Sequence, residues 1–247
     1  MKLVKPILSL LFAAATIGVS AQYCPTTEGA TAKYTSHLIE ADKTMSMTAV
    51  VTKVAKGDDG VTTVTCEQTI DVPGALITIP KAYEYYKFTT PEDPTVIVSI
   101  TAEDYKTQTV DMIVEGSKAQ GRTPTEQQIQ ELKNDIRTKG ELTLTINPKA
   151  AEGDKLPAST LRLDIGEQMM TVSNNNGKFL GKEEVTVPAG TFECVKLAYT
   201  KKENTPDGIN KTYETVWYAP GVGLVKDETK DKKGNLISNS ELIEFKK

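Results

Sequence analysis

The chain has 247 residues, 38% hydrophobic and 25% charged, with a formal charge of −4, three Cys and one His, the proportions of one ordinary soluble domain behind a leader. With His37 as the single imidazole, Ser-His-Asp triads, Cys-His pairs and multi-His zinc centres are short of parts, because each needs His as base or ligand. Only three arginines (Arg122, Arg137, Arg162) and scattered lysines leave no basic stripe for tracking phosphates, which argues against nucleic acid.

Residues 1–21 read as a secretory signal peptide: Lys2 and Lys5 form a basic start, residues 7–19 an apolar stretch, and Val19-Ser20-Ala21 a small-residue cleavage site. An anchor helix is disfavoured by the short apolar stretch, and acylation at Cys24 by Tyr23 beside the thiol. Cleavage after Ala21 leaves residues 22–247, which is 226 residues at charge −6. Beyond residue 21 no apolar run approaches the roughly 18 residues of a membrane span, so no transmembrane span is expected in the mature chain. Export places Cys24, Cys66 and Cys194 where disulfides persist. Their spacing suits neither a metal knuckle nor a C-x-x-C redox pair. The expected arrangement is a Cys24 to Cys194 bridge, tying down an otherwise loose N-terminal segment, with Cys66 buried and free.

Thr, of which there are 33, Val and Ile fill short runs between turn clusters, as in an antiparallel sheet. Residues 31–39, 44–55 and 61–71 form the first three predicted strands, joined at Glu40 to Lys43 and at Gly57 to Gly60. Pro73, Pro80, Pro91 and Pro94 break the next region into short pieces, 75–79 and 83–88, before strands at 95–102 and 108–115. One helix is predicted at 124–139. Thr123-Pro-Thr-Glu126 reads as a capping box with Pro at the first helical position, Ile129, Leu132 and Ile136 share a face, and Gly140 is the stop. Strands follow at 141–146 and 159–165. The pair 168–173 and 178–187 is expected to turn at Asn174-Asn-Asn-Gly177, where Asn-Gly supplies positive φ. Strands 191–201, 211–218, 224–229 and 236–245 complete the chain. The fold class is therefore mainly β: a single antiparallel, strongly curved half-barrel sheet, with the helix at 124–139 covering or plugging it.

Chemistry-bearing residues are sparse. His37, the Asp58-Asp59 loop, Glu183-Glu184 and the sequon Asn210-Lys211-Thr212 read as strand, turn and surface features, and no metal or cofactor is called for. Tyr83, Tyr85 and Tyr86, set between proline breaks, and Trp217, just before the Pro220-Gly-Val-Gly223 corner, are the ligand-contact candidates. Met45, Met47, Met112, Met169 and Met170 offer adaptable apolar surface.

Four stretches resemble a known family: Cys24-Pro25 with Gly29 to Tyr34, LPASTLRLDIGEQMMTV (156–172), VPAGTFECVKL (187–197) and ETVWYAPGVGLVKDE (214–228). They are similar to the TapB-like exported envelope proteins, related to a domain-of-unknown-function family with lipoprotein-carrier-like half-barrels. The resemblance implies an antiparallel sheet curled around a helix, in the periplasm or at the outer-membrane periphery of a diderm bacterium, and it carries no catalytic residues. The expected function is non-enzymatic interaction with another envelope protein. The alternative is a carrier holding a lipid or other hydrophobic small molecule in the concave face of the sheet. An enzyme using carboxylates alone would need two acids facing each other across a cleft, and the sequence pairs none.

Overall fold

A computed structural model describes residues 22–74, 80–90, 93–206 and 208–247. The predicted leader at 1–21 and the predicted strand at 75–79 lie outside the described residues. Five strands come first: β1 (Thr31–Leu38), β2 (Lys43–Lys56), β3 (Thr62–Asp71), β4 (Ala82–Phe88) and β5 (Val96–Thr101). Two helices follow, α1 (Ala102–Ala119) and α2 (Glu126–Asp135). Seven further strands are β6 (Ile136–Ile146), β7 (Ser159–Ile165), β8 (Gln168–Val187), β9 (Gly190–Thr205), β10 (Gly208–Ala219), β11 (Gly223–Lys230) and β12 (Leu236–Lys246).

Each strand pairs antiparallel with its sequence neighbours, and β1 also pairs with β12 over all of Thr31 to Leu38. That seam closes the sheet into a barrel, which corrects the expected half-barrel. The twist accumulated over twelve strands brings the two edges together, and closure removes the unpaired edges an open sheet would present. Apolar side chains dominate the barrel's interior, and ion pairs stand on its outer face. On the outer face Lys33 meets Glu244 at 3.0 Å, Lys226 meets Glu241 at 3.8 Å and Lys196 meets Glu183 at 3.1 Å. This is the reverse of a lipid-embedded barrel, whose outer band is apolar. No helix among the described residues is long and apolar enough to cross a membrane.

The single predicted helix becomes two, because residues 108–115 are helical rather than extended. Val110, Met112 and Val114 alternate like a strand, yet Val110 and Val114 also stand one helical turn apart, and both are buried with Ala102. The cap decides between the two patterns. Thr101 accepts the Asp104 amide at 3.1 Å, and Glu103 and Asp104 occupy the first turn. In α2 the capping box forms between Thr125 and Gln128, two residues later than expected. This helix ends at Asp135, and Ile136 begins β6 by pairing with Ile165. Gly140, read as the helix stop, lies inside β6 at φ +84°, where a Cβ would run into the carbonyl oxygen of Thr160.

The expected hairpin turn at Asn174 to Gly177 is also absent. β8 runs unbroken through it, and the positive φ of Asn176 (53°) serves a bulge against β9, where the register shifts between Asn175 and Lys178.

Opposite ends of the barrel are filled differently. At one end Gln22 to Ala30 form a stopper: the Gly221 amide donates to Gln22 O (2.8 Å) and the Val51 amide to Ala30 O (2.9 Å). Tyr23 and Cys24 pack there with Tyr86, Ile146, Leu197 and Tyr218. At the other end α1 and α2 lie over Ile136, Leu161 and Leu163. The predicted disulfide is not present, and Cys24, Cys66 and Cys194 are all free and buried. Cys24 and Cys66 belong to the stopper cluster, whereas Cys194 packs in a separate cluster with Trp217, Val225 and Leu242.

Candidate functional site

The three tyrosines of β4 diverge, because alternate residues of a strand face opposite sides. Tyr86 points into the lumen opposite Val64 and Val98 and is 4% exposed. Gly223 lets the stopper reach it, since a Cβ at that position would lie 3.3 Å from Pro25 Cδ and 3.4 Å from the Tyr86 hydroxyl. Tyr85 faces outward and donates to Asp104 Oδ1 of α1 at 3.2 Å, fastening the helix to the sheet. Burial, and then the Asp104 carboxylate, push its hydroxyl up to about 12. Tyr83 donates to Glu67 Oε2 at 3.4 Å and lines a cleft of about 400 Å³ with Pro80, Asp104, Asp111 and Val114.

Trp217 does not join them. Its indole N–H donates to Glu183 Oε1 (2.5 Å), while Lys196 and Lys226 stand 5.0 and 5.4 Å from its ring centroid. Two ammonium groups near one indole ring, one from each flanking strand, and a carboxylate at the indole N–H make a closed arrangement, and Trp217 is 5% exposed. The indole bond, with the neighbouring lysines, also holds the Glu183 carboxyl below its ordinary value. His37 makes a surface contact with Thr44 Oγ1 at 3.1 Å.

A constellation the sequence reading missed lies inside the barrel. Glu84, Glu214 and Asp227 all face the lumen, through the register pairs Cys66 with Glu84, Glu214 with Tyr199, and Val216 with Asp227. Tyr34, Tyr199 and Tyr218 share that space. The Tyr34 hydroxyl donates to Leu224 O at 3.0 Å. Glu214 is satisfied by hydroxyls, accepting from Thr212 (2.5 Å) and Thr229 (2.6 Å). Burial pushes the Asp227 carboxyl up to about 6; a hydrogen bond from Ser240 opposes this, and the Glu214 and Glu228 carboxylates add to it. Burial likewise raises Glu84 against a hydrogen bond from Tyr86, and it raises Tyr34, Tyr199 and Tyr218. The signal was present in the alternation Glu214-Val216-Tyr218 and Val225-Asp227, where an acid shares a face with buried apolar residues.

Little space remains in the apolar end of the lumen. The cavity bounded by Pro25, Tyr34, Cys66 and Tyr86 measures about 20 Å³, which holds about one water. Larger hollows lie outside, around the helices. Tyr105, Met112 and Ile113 line one of about 450 Å³, and Ile113, Arg122, Ile129 and Leu132 line another of about 430 Å³. Among the described residues no group of three or more His, Cys, Asp or Glu could hold a metal ion.

The architecture is thus a closed antiparallel barrel, tightly packed at its apolar end, with a stopper at that end and a two-helix cap at the other. The chain belongs to the DUF3108-like family, whose model matches residues 109–242. Two solved structures have a similar fold. One is a predicted exported protein with a YmcC-like fold from Bacteroides fragilis, 20% identical with a TM-score of 0.62, the match covering 91% of this chain and 98% of that one. The other is a predicted lipoprotein from Parabacteroides distasonis, 21% identical with a TM-score of 0.64 and the same coverages. A search of curated proteins finds no match.

Proposed function

We propose that the protein is a non-enzymatic envelope protein of the TapB-like kind, acting through protein interaction or assembly in the periplasm or at the outer-membrane periphery of a diderm bacterium. In this reading the leader is cut after Ala21, and residues 22–247 form one exported domain. The observation that carries it is the tight packing at the apolar end of the barrel. A carrier for lipid needs a cavity of several hundred Å³, and the apolar part of the lumen keeps about 20 Å³. Function then falls to the outer surface. The helical cap is the part of that surface with the most exposed apolar side chains close together, Met112 at 37% and Ile113 at 41%. Of the aromatic candidates, Tyr83 sits at the edge of this cap, Tyr85 positions it, and Tyr86 and Trp217 support the barrel.

The test is a photo-crosslinking amino acid placed at Ile113, with Lys53 on β2 as control, in the protein expressed in its native envelope. A discrete adduct with another envelope protein at position 113 and none at 53 is the expected result. Equal, diffuse labelling at both positions would refute the proposal.

A further inference from the structure

Two of the protein's three arginines stand on one outward face where β6 runs beside β7. Across that ladder Arg137 is opposite Asp164 and Lys139 is opposite Arg162. Like charges facing each other across strands repel, and the only acid in this square of four is already engaged. Arg162 Nε donates to both oxygens of Asp164, at 2.8 and 3.0 Å. The carboxylate thereby fixes the guanidinium plane and leaves the two amino nitrogens of Arg162 with no acceptor among the described residues. Arg137 likewise has no ion pair or hydrogen-bond acceptor there. The square of four thus carries a local excess of two positive charges, in a chain whose overall charge is −4.

Arg137, Arg162 and Asp164, though not Lys139, line a cleft of about 500 Å³ formed by the end of α2, the start of β6 and the β7–β8 turn. Its walls are completed by Asn134, Asp135, Glu167, Gln168 and Met169. A planar guanidinium held from behind by a carboxylate, with a second guanidinium beside it, matches the two-oxygen edge of an oxyanion. With Asp164, Asp135 and Glu167 set three carboxylates against two guanidiniums in the lining, which disfavours a second negative charge on the ligand. Together with the side-chain oxygens of Gln168 and of Asn134, which already accepts from Gln130 Nε2 at 3.0 Å, they offer acceptors to hydroxyl or amide donors next to an anion. Met169, 43% exposed, offers an apolar contact.

We infer that this cleft binds a monocarboxylate flanked by hydrogen-bond donors, with Arg137 and Arg162 holding the carboxylate and Asp164 positioning Arg162. Such a group occurs in sugar acids and at the ends of peptides. The test is a chemical-shift titration of the isotope-labelled protein with glucuronate, N-acetylalanine, inorganic phosphate and glucose. Saturable shifts confined to amides of 134–139 and 162–169 are expected with glucuronate or N-acetylalanine, and the tighter of the two identifies the source. Arg137→Ala and Arg162→Gln should each weaken binding by about tenfold or more, whereas Arg122→Ala, outside the cleft, should not. Asp164→Asn should weaken binding without lowering the melting temperature by more than a surface change does. Phosphate binding more tightly than both carboxylates would overturn the inference. So would wild-type affinity in the Arg137→Ala, Arg162→Gln double variant, or the absence of any saturable shift at tens of millimolar ligand.

Discussion

Asp227→Asn should make this protein more stable at neutral pH. The carboxyl faces the lumen, with Glu214 on β10, Glu228 on its own strand and the hydroxyls of Tyr34, Tyr199 and Tyr218 around it. Folding raises its pKa from 3.8 to about 6. Between those values the folded protein holds a proton that the unfolded chain has released, so stability falls as pH rises from about 4 to about 6 and then levels off. A difference of about two units corresponds to roughly 3 kcal/mol. Asn cannot ionise, and its carbonyl oxygen can still accept the hydroxyl of Ser240. Melting curves of both proteins from pH 4 to pH 8 should therefore coincide near pH 4 and diverge above pH 6. The variant should lead by about 6–12 °C at pH 8, taking 2–4 °C per kcal/mol for a domain of this size. A variant that is less stable than the parent at both ends of the range would show that the lumen solvates the Asp227 charge, and the reasoning would fail.

Glu183→Gln removes the charge from the acceptor of the Trp217 indole and unpairs Lys196. It should cost about 1–2 kcal/mol in urea unfolding, with a change in emission of this single tryptophan that Glu184→Gln does not produce. Gly140→Ala places a Cβ against the Thr160 carbonyl at positive φ and should destabilise by at least about 1 kcal/mol; an unchanged melting temperature would mean that β6 and β7 can separate locally at no cost. The three thiols should resist a thiol-reactive dye in the native state and all react on unfolding, because burial pushes Cys66 and Cys194 up to about 12 and raises Cys24 further. A reductant should leave the melting temperature unchanged, and a drop would contradict the free-thiol arrangement.

Much of the strand map was legible because inward residues such as Leu161 and Leu163 alternate with polar ones and glycine or proline marks many of the turns. α1 was not, since Val110, Met112 and Val114 satisfy two periodicities and only the Thr101 cap separates them. Closure was not, since nothing local to β1 or β12 states that the first strand pairs with the last. The disulfide expectation followed from the compartment, which says nothing about distance, and Cys194 packs among different neighbours from Cys24. Of the residues named for ligand contact, Tyr83 and Tyr85 face outward beside α1 and Tyr86 and Trp217 are buried, while the lumen acids were passed over because a lone carboxylate in a strand is usually solvated. The arginine pair was visible only as a scarcity; bringing Arg137 opposite Asp164 is the work of the β6–β7 register.

The β1–β12 seam makes the order of synthesis matter. Among the described residues the strand made earliest, β1, has its closing partner in the one made latest, β12, and the contacts that complete the barrel span almost the whole described chain. Until Leu236 to Lys246 are made, the sheet keeps two raw borders and cannot become a barrel. Topologies so rich in distant pairings also fold slowly.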